Sequence, residues 1–325
     1  MARTFVSRQI FPEYLQKIKD ESDAQIWEDE LPPPRDILLG KVIGIDGILC
    51  LLTDKIDQEL MEAAGPQLKV ISQIAVGYNN IDIPEATKRG IPVGYTPDVL
   101  TQTTADATLA LMLAAARRVT ESERAVRAGE WRTWHPLHFL GQDLYGSTVG
   151  IIGMGRIGLE VAKRCLGFDT KILYYDKGRR EDLEADYPLN FVDFDTLLME
   201  SDFVSLHTVL DDSTYHLISD EALDKMKTNS VLVNAARGPI VDPKALYKAL
   251  KGGQIAAAGL DVTEPEPIPM NDPLLTLENC VIVPHTASAS VSTRREMSRI
   301  SATNLLNGIN GEKLLTCVNP EVYEI

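Results

Sequence analysis

The chain has 325 residues, of which 44% are apolar and 24% are charged, a composition typical of a folded protein with two domains rather than a disordered one. Its 47 acidic residues outnumber 32 basic ones, and the net charge of -15 excludes a broad electrostatic attraction to nucleic acid or to an anionic membrane. A local basic pocket could still bind a small acid.

The sequence contains no motif that we interpret as a targeting or metal-binding signal. The N-terminal segment lacks the apolar stretch of a signal peptide, and no run approaches the roughly 18 apolar residues of a transmembrane helix. The four cysteines have no metal-ligand spacing, so we expect free thiols in a reducing compartment and no metal site. By elimination we expect a cytoplasmic protein.

The first hundred residues predict a small α/β domain. The apolar runs interpreted as strands are TFVSRQ, GILCLLT, KVISQIAV and PVGYTP, with helical or turn material in DQELMEAAG and IPEATKRG. The next run, TTADATLALMLAAARRVTESERAVRAG, is rich in helix formers and has no internal Gly or Pro. It predicts one long helix that leaves this domain and enters a second one.

Strand and helix patterns alternate from Val149 to His285. The predicted strands are VGIIG, KILYYD, FVSLHT, SVLVNAA, AAAGLDV and CVIVPH, and continuous apolar runs of this kind are typical of a buried parallel sheet. The alternation predicts a doubly wound α/β domain, and a last helix at roughly 292–307 would return the chain to the first domain. We therefore expect a discontinuous substrate-binding domain of residues 1–100 and 287–325, and a dinucleotide-binding domain of residues 101–286.

A glycine-rich loop opens the second domain. Gly153, Gly155 and Gly158 form a GxGxxG pattern between the first strand and a helix, and such loops bind pyrophosphate at the helix N-terminus. Asp176 ends the next strand, where a carboxylate binds the adenosine ribose hydroxyls and repels a 2′-phosphate. The pattern favours NAD. NADP stays possible because three basic residues follow, namely Lys177, Arg179 and Arg180.

Three chemically useful side chains follow neighbouring strands of the predicted sheet. Arg237 follows SVLVNAA, Glu266 follows AAAGLDV after a short loop, and His285 ends CVIVPH. A protonated His285 could donate a proton to the oxygen of a carbonyl that receives a hydride, while Glu266 orients the imidazole and favours its charged form. Arg237 could bind the carboxylate of a 2-keto acid through two parallel hydrogen bonds.

These residues resemble those of the D-isomer-specific 2-hydroxyacid dehydrogenases, and the resemblance extends along essentially the whole chain. The matching segments are ISQIAVGYNNID, VGYTPDVLTQTTAD, STVGIIGMGRIG, SVLVNAARGPIVD, AAAGLDVTEPEP and NCVIVPHTASAS. Within the family the chain looks most like the glyoxylate/hydroxypyruvate reductases. The resemblance implies two Rossmann-like domains with a cleft between them, a small 2-keto or 2-hydroxy acid as substrate, and a homodimer.

The resemblance also implies roles for individual residues. The catalytic positions of the family fall on Arg237, Glu266 and His285, and the spacing favours Glu266 over Glu264. The positions implied to contact substrate, besides Arg237, are Leu52, Val76 and Gly77. The positions implied to contact the cofactor, besides the three glycines and Asp176, are Thr104, Arg156, Ile157, His207, Thr208, Ala236 and Asp261.

Several positions depart from the family pattern. Thr286 and Ala287 replace Ile and Gly beside the catalytic histidine, and Val209 replaces the proline of an HxP motif. His138 stands where relatives often have a bulky aromatic residue, in a segment implied to reach a partner subunit. Two other functions are alternatives: a nucleotide-gated binding protein like the corepressors of this family, and a phosphite dehydrogenase. The phosphite branch has a lysine in place of Val76.

Overall fold

The computed structural model describes residues 1–324, which divide into two compact units. The first unit consists of Met1–Leu100 and residues 289–324, and the second of Thr101–Ser288. The predicted boundary at 286/287 therefore lies two residues before the one between Ser288 and Ala289. Each unit contains its own parallel sheet with helices on both faces, so the predicted fold class is confirmed.

The first unit is built on a five-stranded sheet in the order β2-β1-β3-β4-β5, with every strand pair parallel. Its strands are β1 (Arg3–Val6), β2 (Asp23–Ile26), β3 (Gly47–Cys50), β4 (Val70–Gln73) and β5 (Val93–Gly94). Its helices are α1 (Pro12–Glu21), α2 (Arg35–Lys41), α3 (Gln58–Ala64), α4 (Ile83–Lys88) and α12 (Val291–Ile309).

Apolar residues on both faces of this sheet explain why it is buried. Phe5, Ile48 and Ile71 pack on one side in the cluster that includes Leu60 and Met61 of α3. On the other side the cluster joins Val6, Leu49 and Val70 to α12, which is the helix predicted at 292–307. The helix packs so closely against the sheet at Gly308 that a Cβ on this residue would overlap the Val70 side chain.

The second unit is a seven-stranded parallel sheet in the order β12-β11-β10-β9-β6-β7-β8. Its strands are β6 (Thr148–Ile152), β7 (Lys171–Tyr175), β8 (Leu189–Phe191), β9 (Phe203–Leu206), β10 (Val231–Asn234), β11 (Ala257–Leu260) and β12 (Cys280–Ile282). The strand order reverses between β6 and β9, and ligands of open α/β sheets bind outside the carboxyl ends of the strands at such a point. The helices are α5 (Thr101–Ala116), α6 (Val119–Arg127), α7 (Arg156–Leu166), α8 (Glu181–Glu184), α9 (Phe194–Glu200), α10 (Asp220–Lys225) and α11 (Pro243–Lys251).

The single long helix predicted after residue 100 is wrong, because the structure divides it into α5 and α6. Arg118 adopts a left-handed backbone with φ of 52°, which ends the helical path although no Gly or Pro is present. Such a conformation costs about 1–2 kcal/mol for an L-residue. It is held by two hydrogen bonds from the Arg118 guanidinium to Glu121, at 2.6 and 2.5 Å, and by the N–H of Gln142, which donates to the carbonyl oxygen of Ala116.

No helix within residues 1–324 combines the length and the apolar character needed to cross a lipid bilayer.

Candidate active site

The glycine-rich loop lies where the strand order of the second unit reverses. It ends in α7, which begins at Arg156 with Gly155 as its N-cap. Gly153 has a φ of 95°, and a Cβ there would come within 2.7 Å of the His207 backbone. A Cβ on Gly158 would overlap the carbonyl oxygen of Gly153, whereas no atom lies within 4 Å of the Cβ position of Gly155. Two glycines thus permit close packing, and the third leaves room for a phosphate before the helix N-terminus.

A cavity of about 540 Å³ opens beside this loop, within the size range of small-molecule and cofactor sites. Five predicted cofactor residues line it, namely Gly153, Gly155, Asp176, His207 and Thr208. A dinucleotide requires hydrogen-bond donors for its phosphates and an acceptor for its ribose hydroxyls. The helix N-terminus provides the donors at one side of the cavity, and the Asp176 carboxylate provides the acceptor at the other. The residues present therefore fit the cofactor that the sequence predicts.

Asp176 follows β7 directly and lies at the edge of the glycine-rich loop. Its Oδ2 accepts a hydrogen bond from the N–H of Met154 at 2.8 Å, and its Oδ1 accepts one from the N–H of Lys177 at 2.6 Å. These bonds fix the carboxylate beside the loop, where it can accept hydrogen bonds from ribose hydroxyls.

The three basic residues after Asp176 each have an acidic partner. The ion pairs are Lys177 with Asp211 at 2.9 Å, Arg179 with Glu184 at 2.7 Å and Arg180 with Asp182 at 2.7 Å. Because each charge is already compensated, the positive charge of this segment attracts a 2′-phosphate less than its sequence alone indicates.

His207 and Thr208 follow β9 on the other side of the reversal. The Nε2 of His207 lies 2.8 Å from the hydroxyl oxygen of Ser205, which is fully buried in β9. Burial lowers the pKa of His207 to about 4, so its imidazole is neutral at physiological pH. This histidine therefore does not act as the cation of the dinucleotide site.

Arg237 is held in the turn after β10 by Asn234, the last residue of that strand. The buried side chain of Asn234 donates from Nδ2 to the carbonyl oxygen of Arg237 at 2.8 Å and accepts from the N–H of Ala236 at 3.0 Å. Burial lowers the pKa of Arg237, and the carboxylate of Glu266 acts in the opposite direction. A guanidinium stays charged under these conditions, and partial burial strengthens its attraction to a bound carboxylate.

Glu266 and His285, which the sequence predicts to act together in proton transfer, are in direct contact. The Oε1 of Glu266 lies 2.5 Å from the Nδ1 of His285. Burial raises the pKa of Glu266, but the hydrogen bond and charge of His285, with a smaller contribution from Arg237, lower it overall. Glu264, the neighbouring carboxylate, instead lies 2.7 Å from the Nε2 of His216. The structure thus places Glu266 within electrostatic reach of both Arg237 and His285.

Asp261 fixes the turn that carries His285. This turn leaves β12 with His285 in a left-handed conformation, at a φ of 52°. The Asp261 carbonyl oxygen accepts from the N–H of His285 at 2.9 Å, and its carboxylate accepts from the N–H groups of Thr286 and Ala287 at 2.7 and 3.1 Å. Since Thr286 and Ala287 contribute N–H groups here, their departure from the family pattern leaves this support in place. Both residues also line a separate, mostly apolar cavity of about 260 Å³.

The predicted substrate residues of the first unit follow two adjacent strands, Leu52 after β3 and both Val76 and Gly77 after β4. Two side chains connect these loops. Asn80 donates to the carbonyl oxygens of Leu51 and Asp54 at 3.0 and 2.8 Å. Gln73 donates to the carbonyl oxygen of Gly77 and to the Oδ1 of Asn80, both at 2.7 Å. The sequence analysis did not identify Gln73 and Asn80. The available signal was the position of Gln73 at the end of an apolar strand. This glutamine is fully buried, and buried polar side chains are hydrogen-bonded.

Other predicted site residues lie outside the cavity beside the glycine-rich loop. Thr104 is buried in α5, Ile157 is in the first turn of α7, and Ala236 is in the turn before Arg237. Arg156 is exposed at the N-terminus of α7. His138 lies in an exposed segment, where its ring stacks on that of His135 at 4.2 Å. Their predicted cofactor or partner contacts stay predictions.

Comparison with known proteins identifies the family of the chain. Residues 109–287 match the family model of the D-isomer specific 2-hydroxyacid dehydrogenase, NAD binding domain. The chain is 53% identical to a glyoxylate reductase of Korarchaeum cryptofilum over 324 residues, covering 99% of this chain and 97% of the relative. It is similar to the crystal structure of a glyoxylate reductase from Paecilomyes thermophila, with a TM-score of 0.86, 33% identity, and coverage of 98% and 99%.

A further structure of interest is the NADPH-dependent glyoxylate/hydroxypyruvate reductase from Sinorhizobium meliloti, which was solved with NADP and malonate. It has a TM-score of 0.83 and 33% identity, with coverage of 98% of this chain and 96% of that one.

Proposed function

The chain belongs to the D-isomer-specific 2-hydroxyacid dehydrogenases, and on that basis we propose that it reduces glyoxylate and hydroxypyruvate with NADH as hydride donor. It is an oxidoreductase with a nicotinamide-dinucleotide domain. The observation that carries the proposal is the 2.5 Å contact between His285 and Glu266 beside Arg237, which provides a proton donor and a carboxylate-binding cation for a 2-keto acid.

The residues of the site divide the reaction between them. Arg237 binds the substrate carboxylate through its guanidinium group. When bound, the nicotinamide supplies the hydride that reduces the carbonyl carbon. His285, protonated and oriented by Glu266, donates a proton to the carbonyl oxygen as negative charge develops there. The products are a D-2-hydroxy acid and the oxidised cofactor.

The experiment that tests this proposal is a kinetic panel. Purified protein is incubated with glyoxylate, hydroxypyruvate, pyruvate and phenylpyruvate, each with NADH and with NADPH, while absorbance at 340 nm is followed. We expect the largest kcat/KM values with glyoxylate or hydroxypyruvate. No absorbance loss with any of the four acids would refute the proposal, and a reaction with phosphite and NAD alone would support the phosphite alternative.

We propose that NAD is the preferred cofactor because Asp176 faces the loop and its basic neighbours are paired. Asp176→Ser removes the carboxylate that repels a 2′-phosphate. We expect the ratio of kcat/KM with NADH to that with NADPH to fall by about 100-fold, equivalent to about 2.7 kcal/mol. Asp186→Ser, at an exposed carboxylate after α8, is the matched control and leaves the ratio unchanged. An unaltered ratio in Asp176→Ser would show that Asp176 does not select the cofactor.

Glu266→Gln tests the proposed orientation of His285. The variant removes the negative charge that stabilises the imidazolium but keeps the size of the side chain. A neutral amide orients the imidazole less firmly than the carboxylate does, so we expect kcat to fall about tenfold or more, within the range for an impaired general acid. A kcat equal to that of the wild type would contradict the role of Glu266.

We propose that the protein is a homodimer. The segment around His138 exposes four large apolar side chains, and apolar clusters of this size mark interaction sites. They are Trp131, Trp134, Leu137 and Leu140, which are 73, 80, 70 and 61% exposed. Light scattering should give twice the chain mass of 35.9 kDa.

A cytoplasmic location is consistent with four free cysteines, because thiols stay reduced in that compartment.

A further inference from the structure

A second histidine–carboxylate pair lies beside the catalytic pair. The Nε2 of His216 is 2.7 Å from the Oε2 of Glu264, and the side chains are 29% and 28% exposed. The hydroxyl of Tyr215 donates to the other oxygen of Glu264 at 3.4 Å, and the Tyr215 ring stacks on His216 with centroids 4.0 Å apart. Glu264 is only two residues before Glu266, so this pair anchors the loop that carries the catalytic carboxylate.

The backbone of His216 is attached to the segment that follows Arg237. Its N–H donates to the carbonyl oxygen of Pro239 at 2.8 Å, and the backbones of Ile218 and Ile240 hydrogen-bond at 3.0 Å. His216 has a φ of 49°, a left-handed conformation that directs the chain between these contacts. One residue therefore holds the segment after Arg237 with its backbone and the loop before Glu266 with its ring.

These two segments also contact each other directly. A Cβ on Gly238, the residue after Arg237, would overlap the carbonyl oxygen of Thr263 at the start of the loop that carries Glu266. Glu266 itself has a side chain that is 40% exposed. Because solvent surrounds much of this side chain, its position depends on how firmly the backbone of residues 263–266 is held.

We propose that His216 and Glu264 are positioning residues that act through Glu266 and keep its carboxylate against His285. The inference rests on the proposed reductase function and adds two residues to its machinery. If the His216–Glu264 bond is lost, the loop shifts away from the segment after Arg237. The 2.5 Å contact between Glu266 and His285 then lengthens, and protonated His285 loses its orientation toward substrate.

Single substitutions of Glu264 and His216 test the proposal first, through their effect on kcat. Glu264→Ala removes the acceptor, and His216→Asn shortens the ring side chain while tolerating the left-handed backbone. We expect each to lower kcat for glyoxylate reduction about tenfold, the scale of a small misplacement in an active site, with the KM for NADH unchanged. Glu264→Gln keeps a hydrogen-bond acceptor for His216 and should retain most of the activity.

A double-mutant cycle separates positioning from a merely structural role. If Glu264 acts through Glu266, adding Glu264→Ala to Glu266→Gln lowers kcat no further. Independent effects would multiply and would overturn the proposal. The matched control is Glu200→Ala, which breaks an exposed ion pair with Lys171 at the other end of the sheet and leaves kcat unchanged.

A readout without turnover completes the test. In NMR spectra of the protein without cofactor, recorded at one pH, the signal of the His285 Nδ1–H group, which donates to Glu266, should shift or broaden in Glu264→Ala and stay unchanged in Glu200→Ala. Wild-type kinetics distinguish the two possible failures. No glyoxylate reduction by the wild type refutes the proposed function. Normal wild-type turnover, with an unchanged kcat and an unchanged His285 Nδ1–H signal in Glu264→Ala, refutes this inference alone.

Discussion

Replacing His285 should lower kcat for keto-acid reduction by about 10²-fold or more, while the affinity for NADH changes little. Hydride transfer leaves negative charge on the carbonyl oxygen, and a lost general acid costs about 10²–10⁴ in rate. Water can replace the proton donor only poorly, because it is neither oriented nor charged. The measurement is steady-state kcat with glyoxylate, together with NADH binding followed by tryptophan fluorescence.

The choice of substitution follows from the backbone at this position. His285 has a φ of 52°, where Ala is strained by about 1–2 kcal/mol but Asn is tolerated. His285→Asn therefore removes the imidazole with the smaller risk of disturbing the turn, and His285→Ala is the comparison. If His285→Asn binds NADH normally and turns over at close to the wild-type rate, His285 is not the proton donor.

Replacing Arg237 should have an effect of similar or larger size on substrate binding. Removing one partner of a partly buried ion pair costs about 2–5 kcal/mol, so kcat/KM for glyoxylate should fall about 10²–10³-fold in Arg237→Ala. Most of this loss should come from a higher KM. Arg237→Lys keeps the charge but not the two parallel hydrogen bonds, and we expect an intermediate loss of about tenfold.

A comparison of ligands identifies what Arg237 binds. Oxamate, a non-reactive analogue of a keto acid, should bind more weakly to both variants in the presence of NADH, with Arg237→Ala the weaker. NADH alone should bind as in the wild type. If instead NADH binding is lost and oxamate binding is retained, Arg237 contacts the cofactor rather than the substrate carboxylate.

The sequence was most informative where buried strands end in polar residues. Continuous apolar runs predicted the central strands of both sheets. A strand that is buried on both faces needs apolar side chains at nearly every position, so its sequence is easy to recognise. The same logic predicted that Arg237, Glu266 and His285 lie at one edge of the second sheet, whereas the choice of Glu266 over Glu264 rested on the spacing implied by the family resemblance. In the structure Glu266 contacts His285 and Glu264 contacts His216.

Other features depend on tertiary contacts that carry no local pattern. The break at Arg118 is held by Glu121 and by the chain at Gln142, so helix propensity alone predicts an uninterrupted helix. The edge strands β2 and β8 are short and partly exposed, and their composition does not differ from that of loops. His216 lies 48 positions from Glu264 in the chain, and only the folded sheet brings the two together.

The stereochemistry of the product formed from hydroxypyruvate tests the proposed reduction most directly. Wild-type protein is incubated with hydroxypyruvate and NADH, and the glycerate is resolved by chiral chromatography while NADH consumption is recorded. We expect one D-glycerate for each NADH consumed, with no L-glycerate. Formation of L-glycerate, or no NADH consumption with either hydroxypyruvate or glyoxylate, would contradict the proposed reduction.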